Sequence, residues 1–405
     1  MVVMRTSVDP AAYAATFDDR IGEMVREAAR RSPAFAARLA EAGIDPSSVA
    51  TGDLDRLPIQ SKDDVLALQH ATPPFGGLLA DDAQPRRIFQ SPGPLYEPEL
   101  TAGDGWRWAP ALSAAGFTAA DRVLITFGFH LSPAGAMFEA ACAEIGAAVL
   151  PAGVGAKDLQ VAACRDLQIS AYIGTPSYLN ALLEAADQEG VELGIERAFV
   201  TAEPLPPSLR DALQARVPVV RAGYGTAETG HLGHECDEVD GWHVPEDALV
   251  QICDITTEVA RSDDGEGQLV VTLFETGYPI VRFGTGDLSA WHDRPCPCGA
   301  ATPRLRGWMG RVGDAVKVRG MFLHPRQVSQ VLAGIEGVAA YRVVVERADH
   351  RDQLRVELVA GDAPADLTDR VATAVQDGLR FRAEVRLVDA LPDDGPVLVD
   401  ARTWD

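Results

Sequence analysis

RAFVTAEPLPPSLRDALQARVPVVRAGYGTAE, residues 197–228, decides how this chain folds. RAFVT and PVVRAGY are short runs rich in β-branched and aromatic residues, the composition of buried strands. Between them, PPSLRDALQARV opens on proline and carries apolar residues at helical spacing, so a helix joins the two strands. A crossover of this length makes the strands parallel. The same alternation extends outward over 105–225. GWRWAPALSAAG, AGAMFEAACAEIG, LQVAACRDL and PSYLNALLEAADQEG read as helices, and RVLITF, AAVLP and AYIG as strands. The loops IGTPS, VTAEP and AGYGTAETG follow strands, so they gather at the carboxyl rim, where such sheets bind ligands.

Residues 1–60 carry helical periodicity, as in FDDRIGEMVREAARRSPAFAARLAEAGI. Residues 244–292 change character: ALVQICDI, GQLVVTLF and IVRFGTGDLSAW suggest antiparallel strands with turns between them. Residues 311–405 read as a small separate α+β unit. The expected fold is α/β, with a large N-terminal domain (1–310) of mainly parallel sheets with a β-rich subdomain, and a small C-terminal α+β domain (311–405).

With 405 residues, two or more domains are expected. Apolar content of 47% and charged content of 23% are those of a soluble globular protein, and no apolar run suits a membrane span or signal peptide. A net charge of −23 argues against nucleic acid and anionic membranes as partners. Six scattered cysteines are no disulfide framework, which points to a reducing cytoplasm. Lysine occurs only at 62, 157 and 317.

Four pieces stand in a particular order: VTAEP, YGTAETG, RFGTGDL and GRVGDAVKVRG. Together they resemble the adenylate-forming acyl-CoA synthetases, and within them the phenylacetate–CoA ligase family, which shares the chain length, the AEP tripeptide and the C-x-C-G. The resemblance implies ATP-dependent activation of a carboxylic acid through an acyl-adenylate, then transfer to CoA as the C-terminal domain, a mobile lid, rotates. The alternatives are transfer to an amine, hydroxyl or carrier thiol on the same fold, or a degenerate nucleotide-binding homologue. Implied cofactors are ATP/AMP, magnesium and CoA. The acid is not named by the sequence, and oligomeric state, a homodimer included, is left open.

By resemblance, Ala202, Glu203, Pro204, Tyr224, Gly225 and Thr226 line the nucleotide, with the Tyr224 ring against adenine. Glu228 aligns with the glutamate that holds magnesium, although Ala227 stands where the family has Ser or Thr. Asp287 accepts from the ribose hydroxyls. Arg311 reaches ribose or phosphate beside the pivot Asp314, and Lys317 continues toward CoA or solvent. Phe127, Phe129, His130, Gly174 and Gly223 are candidates for the acid slot, with His130 as its gate. Catalysis would rest on Glu228, His130 and Arg311.

Two departures weaken the ATP half-reaction. SPGPLYEPE (91–99) falls where the family has its phosphate loop, yet Pro92, Pro94 and Pro98 have no N–H, Ser91 brings the loop's one hydroxyl besides Tyr96, and Glu97 and Glu99 repel phosphate. Nothing in that stretch repeats like a strand. In the tail DDGPVLVDAR, Pro396 occupies the place of the family's adenylation lysine, with Arg402 or Arg382 as replacements. Removing one such contact costs ~3–4 kcal/mol.

Cys236 and His243 in CDEVDGWH, with Cys296 and Cys298 in CPCG, supply four ligands of tetrahedral zinc type. Relatives with this pattern look like zinc binders. The site would be structural, with His234 as a substitute for His243.

Overall fold

The computed structural model describes residues 9–91, 94–312, 316–319, 321–323, 325–348, 351–361, 364, 366–392 and 395–403. The chain divides into two compact units. One comprises 1–205 with 210–312, the other 313–405 with 206–209.

An eight-stranded sheet organises the first unit. Its order is Arg304–Leu305, Trp242–His243, Gly230–His234, Val219–Thr226, Arg197–Val200, Ala171–Gly174, Arg122–Ile125, Ala148–Pro151. The five strands from 219–226 to 148–151 run parallel, as the alternation predicts. The other pairings are antiparallel. Helices Ala134–Ile145, Lys157–Asp166 and Pro176–Gln188 make three of the four crossovers. Thr175 caps the last of these, with Pro176 at its first position, because proline's missing N–H costs nothing there. Phe138, Val123, Ile125, Ile173 and Phe199 fill the layer beneath; each such side chain contributes roughly 1.5–3 kcal/mol on burial.

A second, antiparallel sheet orders Ala260–Arg261, Ala248–Cys253, Gly267–Leu273, Phe283–Ser289, Gly310–Arg311. Helix Asp18–Arg31 turns Ile21, Met24, Val25 and Ala28 onto one stripe, and these join Val250, Ile252, Leu269 and Val271 in one core. The helix opens on Asp18 and Asp19 and ends on Arg30 and Arg31, charges that suit its dipole.

Part of the stretch 91–99 is a strand, although nothing in its sequence repeats like one. Tyr96–Glu99 is a strand, paired antiparallel with Arg87–Gln90. The two strands form a sheet of their own, so Pro98 sits on an edge, where its missing donor is tolerated. Pro92 lies outside the described residues, and so does the expected pivot Asp314.

In the second unit, Arg351–Val359 and Ala340–Ala348 form an antiparallel pair flanked by parallel strands Ala383–Leu387 and Leu398–Asp400. Helix Leu367–Leu379 buries Leu367, Val371, Val375 and Leu379, a four-residue spacing, in the same core as Val343, Val345, Val356 and Leu358. Lys317 lies on the short strand Val316–Val318. Among the described residues no helix is long and apolar enough to cross a membrane.

Candidate active site

Strand Val219–Thr226 ends at the carboxyl rim, and strand Phe283–Ser289 of the second sheet reaches the same place. The Tyr224 hydroxyl donates to Asp287 Oδ2 at 2.7 Å. Trp308 Nε1 and Arg311 Nε donate to Asp287 Oδ1 at 3.1 and 2.8 Å. Arg311 stands opposite Asp287 in the strand register, which aims the guanidinium at the carboxylate. Burial and the Asp287 charge push the Tyr224 hydroxyl well above its ordinary pKa, so it remains a donor. One face of the Tyr224 ring is taken by Trp242, stacked at 5.2 Å and 4°. Three of the roughly four acceptor positions of a carboxylate are used at Asp287.

Glu228 follows on the same loop. Lys62, in the first turn of helix Lys62–Ala71, forms an ion pair with Glu228 Oε1. Ser61 and Asp64 close a capping box that fixes this helix start. Burial opposes charge on Glu228, but Lys62 more than offsets it and holds the carboxyl below its usual range. Across from them stands Glu97, whose Oε1 is sealed from solvent without a hydrogen-bond partner among the described residues. Burial, with the Glu228 charge beside it, pushes the Glu97 carboxyl up to about 8, while Lys62 pulls the other way. Ser91 is 2% exposed, and its hydroxyl beside Glu97 also pulls that carboxyl down. Lys62 supplies the counter-charge at Glu228 that magnesium was expected to supply, so the arrangement fits a magnesium site there poorly.

The expected acid slot divides in two. Phe127 is packed into the core, stacked on Phe138 at 5.3 Å. Gly174 and Gly223 are glycines because a Cβ would meet Thr126 Oγ1 at 2.1 Å and the Phe199 ring at 2.3 Å. All three support the rim from below. Phe129 is half-buried and His130 exposed on the loop after Arg122–Ile125. In the AEP tripeptide, Ala202 holds a φ of 70°, strained for a residue with a Cβ. Glu203 accepts from the Ser177 hydroxyl at 2.5 Å, and Pro204 follows on the same loop. Thr226 folds back onto the Thr229 hydroxyl at 3.0 Å. At Gly225 a Cβ would lie 2.1 Å from the Gly230 carbonyl.

Cys236, His243, Cys296 and Cys298 converge, their ligand atoms all within 4.8 Å of one another. The Cys236 and Cys296 sulfurs are 3.6 Å apart, and Cys298 Sγ lies 3.3 Å from His243 Nε2. Zinc–sulfur bonds of ~2.3 Å place tetrahedral sulfurs roughly 3.8 Å apart, so the donor set fits zinc. His234 Nδ1 faces His231 Nε2 at 3.0 Å instead of joining them.

Reading the sequence alone missed Lys62, Glu97 as a cavity residue, Trp242 and Trp308. The scarcity of lysine was the available signal for the first; the tryptophans are joined to the motif only through the fold.

The Tyr224–Asp287–Arg311 cluster sits beside a rim of strand-end loops, on an α/β fold of the kind adenylate-forming enzymes have. The comparisons agree. Residues 111–273 match the model of the AMP-binding enzymes, and residues 320–392 that of the AMP-binding enzyme C-terminal domain. The phenylacetate–coenzyme A ligase of Thermus thermophilus is 30% identical over 84% of this chain and 80% of its own length. The enzyme of that name from Escherichia coli is 26% identical over 94% and 91%. Among solved structures, a 2-hydroxyisobutyryl-CoA ligase in complex with 2-HIB-AMP and CoA superposes with a TM-score of 0.84 at 24% identity, over 97% of this chain and 90% of that one. The chain belongs to the phenylacetate–coenzyme A ligase family of adenylate-forming enzymes.

Proposed function

We propose that the chain is an ATP-dependent acyl- or aryl-CoA ligase: a carboxylic acid is joined to AMP, and the acyl group then passes to the CoA thiol. The arrangement at Asp287 carries this reading. It holds a carboxylate between Tyr224 and Arg311 at a strand end of a sheet whose rim gathers the other motif loops. Tyr224 offers the ring face opposite Trp242 to adenine, and Asp287 takes the ribose hydroxyls. Arg311, held beside Asp287, faces the developing phosphate charge, and Phe129 with the exposed His130 borders the acid. Ala202 to Pro204 shape the rim.

The acyl carbon is attacked by the CoA thiol and AMP leaves with the electron pair of the broken C–O bond. Magnesium neutralises phosphate charge when it accompanies ATP. Zinc on Cys236, His243, Cys296 and Cys298 is structural, since four protein ligands leave no open position. The protein works in the cytoplasm, as a monomer or homodimer.

The test is release of pyrophosphate from ATP, then of AMP on adding CoA, over a panel of arylacetic and short hydroxy acids. Acid-dependent pyrophosphate with CoA-dependent AMP is the expected result. Pyrophosphate release with AMP release indifferent to CoA would move the acyl acceptor elsewhere, and neither release would overturn the ligase reading.

A further inference from the structure

A pocket of about 110 Å³ opens beside the Lys62–Glu228 pair, within the first unit. Its wall is largely apolar and unusually aromatic: Phe89, Trp106, Tyr278 and Phe283 line it, with Val65 and Leu95. Four carboxyl residues also face it, and their counter-charges decide what it can hold. Glu99 is paired with Arg87. Glu228 is paired with Lys62. Glu275 accepts from the Gly277 amide and keeps some exposure to water. Arg107, also on the wall, lies 3.6 Å from Asp247 outside it. Glu97 is the exception: its sealed oxygen has no hydrogen-bond partner among the described residues. Glu97 and Glu275 are thus the two carboxyls without a cationic partner among the described residues, and of these Glu97 has the sealed oxygen, where ionisation is costly unless a cation joins it.

We propose that this pocket is a binding subsite for a small organic ammonium, its charged nitrogen on Glu97 and its apolar body against the aromatic wall. Ammonium groups bind where a carboxylate and aromatic faces meet, because the ring quadrupole and the carboxylate both attract the cation. The cationic Lys62 repels a divalent ion more strongly than a monovalent one, and two of the four carboxylates are already taken by Lys62 and Arg87. The volume is somewhat below the ~150 Å³ of a protein cavity that takes benzene, so the ligand is compact.

Calorimetric titration without nucleotide tests this, using n-butylamine and its neutral counterpart 1-butanol at about pH 8.5, where an alkylammonium keeps its charge. Working without nucleotide separates failure here from failure of the ligase reading. The expected result is at least tenfold tighter binding of the amine, with the preference abolished in Glu97→Gln and the alcohol unaffected. Replacing a carboxylate by its isosteric amide removes a buried charge, and a thermal melt of the variant confirms that it folds. Equal binding of amine and alcohol, or a preference that survives Glu97→Gln, overturns the proposal. Competitive displacement of the amine by magnesium chloride overturns it in favour of a divalent-cation site.

Discussion

Lys62 and Glu97 carry opposite electrostatic consequences. Lys62 is the ion-pair partner of a Glu228 side chain only 9% exposed. Lys62→Ala therefore leaves buried carboxylates without that counter-charge and lowers stability by about 2–4 kcal/mol, below the full cost of a wholly buried pair because Lys62 is partly exposed. Magnesium is expected to raise the urea midpoint of Lys62→Ala more than that of the wild type; equal shifts would contradict the role given to the lysine. Glu97 acts through pH. Burial raises its folded value to about 8, above the ~4.3 of an unfolded glutamate. Between those values the folded state holds the extra proton, so stability falls as pH rises from about 5 to about 8. Urea midpoints of the wild type should fall over that window, with a shallower slope in Glu97→Gln. Tyr224 and Asp287 were legible in the sequence because each sits inside a short motif. The Lys62 contact was not, because 166 positions separate it from Glu228 and only the fold joins them.

Two-residue strands at the edge of the large sheet are the elements most in need of outside support. Trp242–His243 and Arg304–Leu305 pair over two positions each, too few for the pair to persist alone. The four proposed zinc ligands lie on and around these strands and join segments about 60 residues apart. Purified protein is expected to carry close to one zinc per chain by metal analysis, and Cys296→Ser to lose it together with several degrees of melting temperature. A variant that keeps its melting temperature after losing zinc would show the metal to be no staple. Periodicity made the parallel strands and their crossover helices readable, since each helix shows one apolar stripe and each buried strand a continuous apolar run. It failed at Tyr96–Glu99, where proline and glutamate hide a strand that, among the described residues, pairs with Arg87–Gln90 alone.

Across the whole molecule, the Tyr224–Asp287–Arg311 cluster proposed for the nucleoside is assembled, while the expected aids to phosphate chemistry are altered. Arg402, a candidate stand-in for the missing lysine, is engaged within its own unit by Asp352 and Asp400 at 3.1 and 2.6 Å. Pro396 is exposed on the same tail. Adenylation, followed by pyrophosphate release, is thus expected to be the slower half-reaction, with thioester formation from a supplied acyl-adenylate faster. Pro396→Lys should raise the first rate about tenfold or more and leave the second unchanged; a rise in neither would remove the tail from the account. The order of units and the nucleotide motifs could be read from the sequence, because strand-end loops advertise themselves by glycine and acidic residues. The pocket beside Glu228 could not, since its walls come from segments spread between residues 60 and 283. The most direct measurement is calorimetric titration of AMP into the wild type and Asp287→Asn. Saturable binding that weakens at least tenfold in the variant is the expected outcome, whereas no binding to the wild type, or equal affinity in both, would contradict a nucleoside held at Asp287.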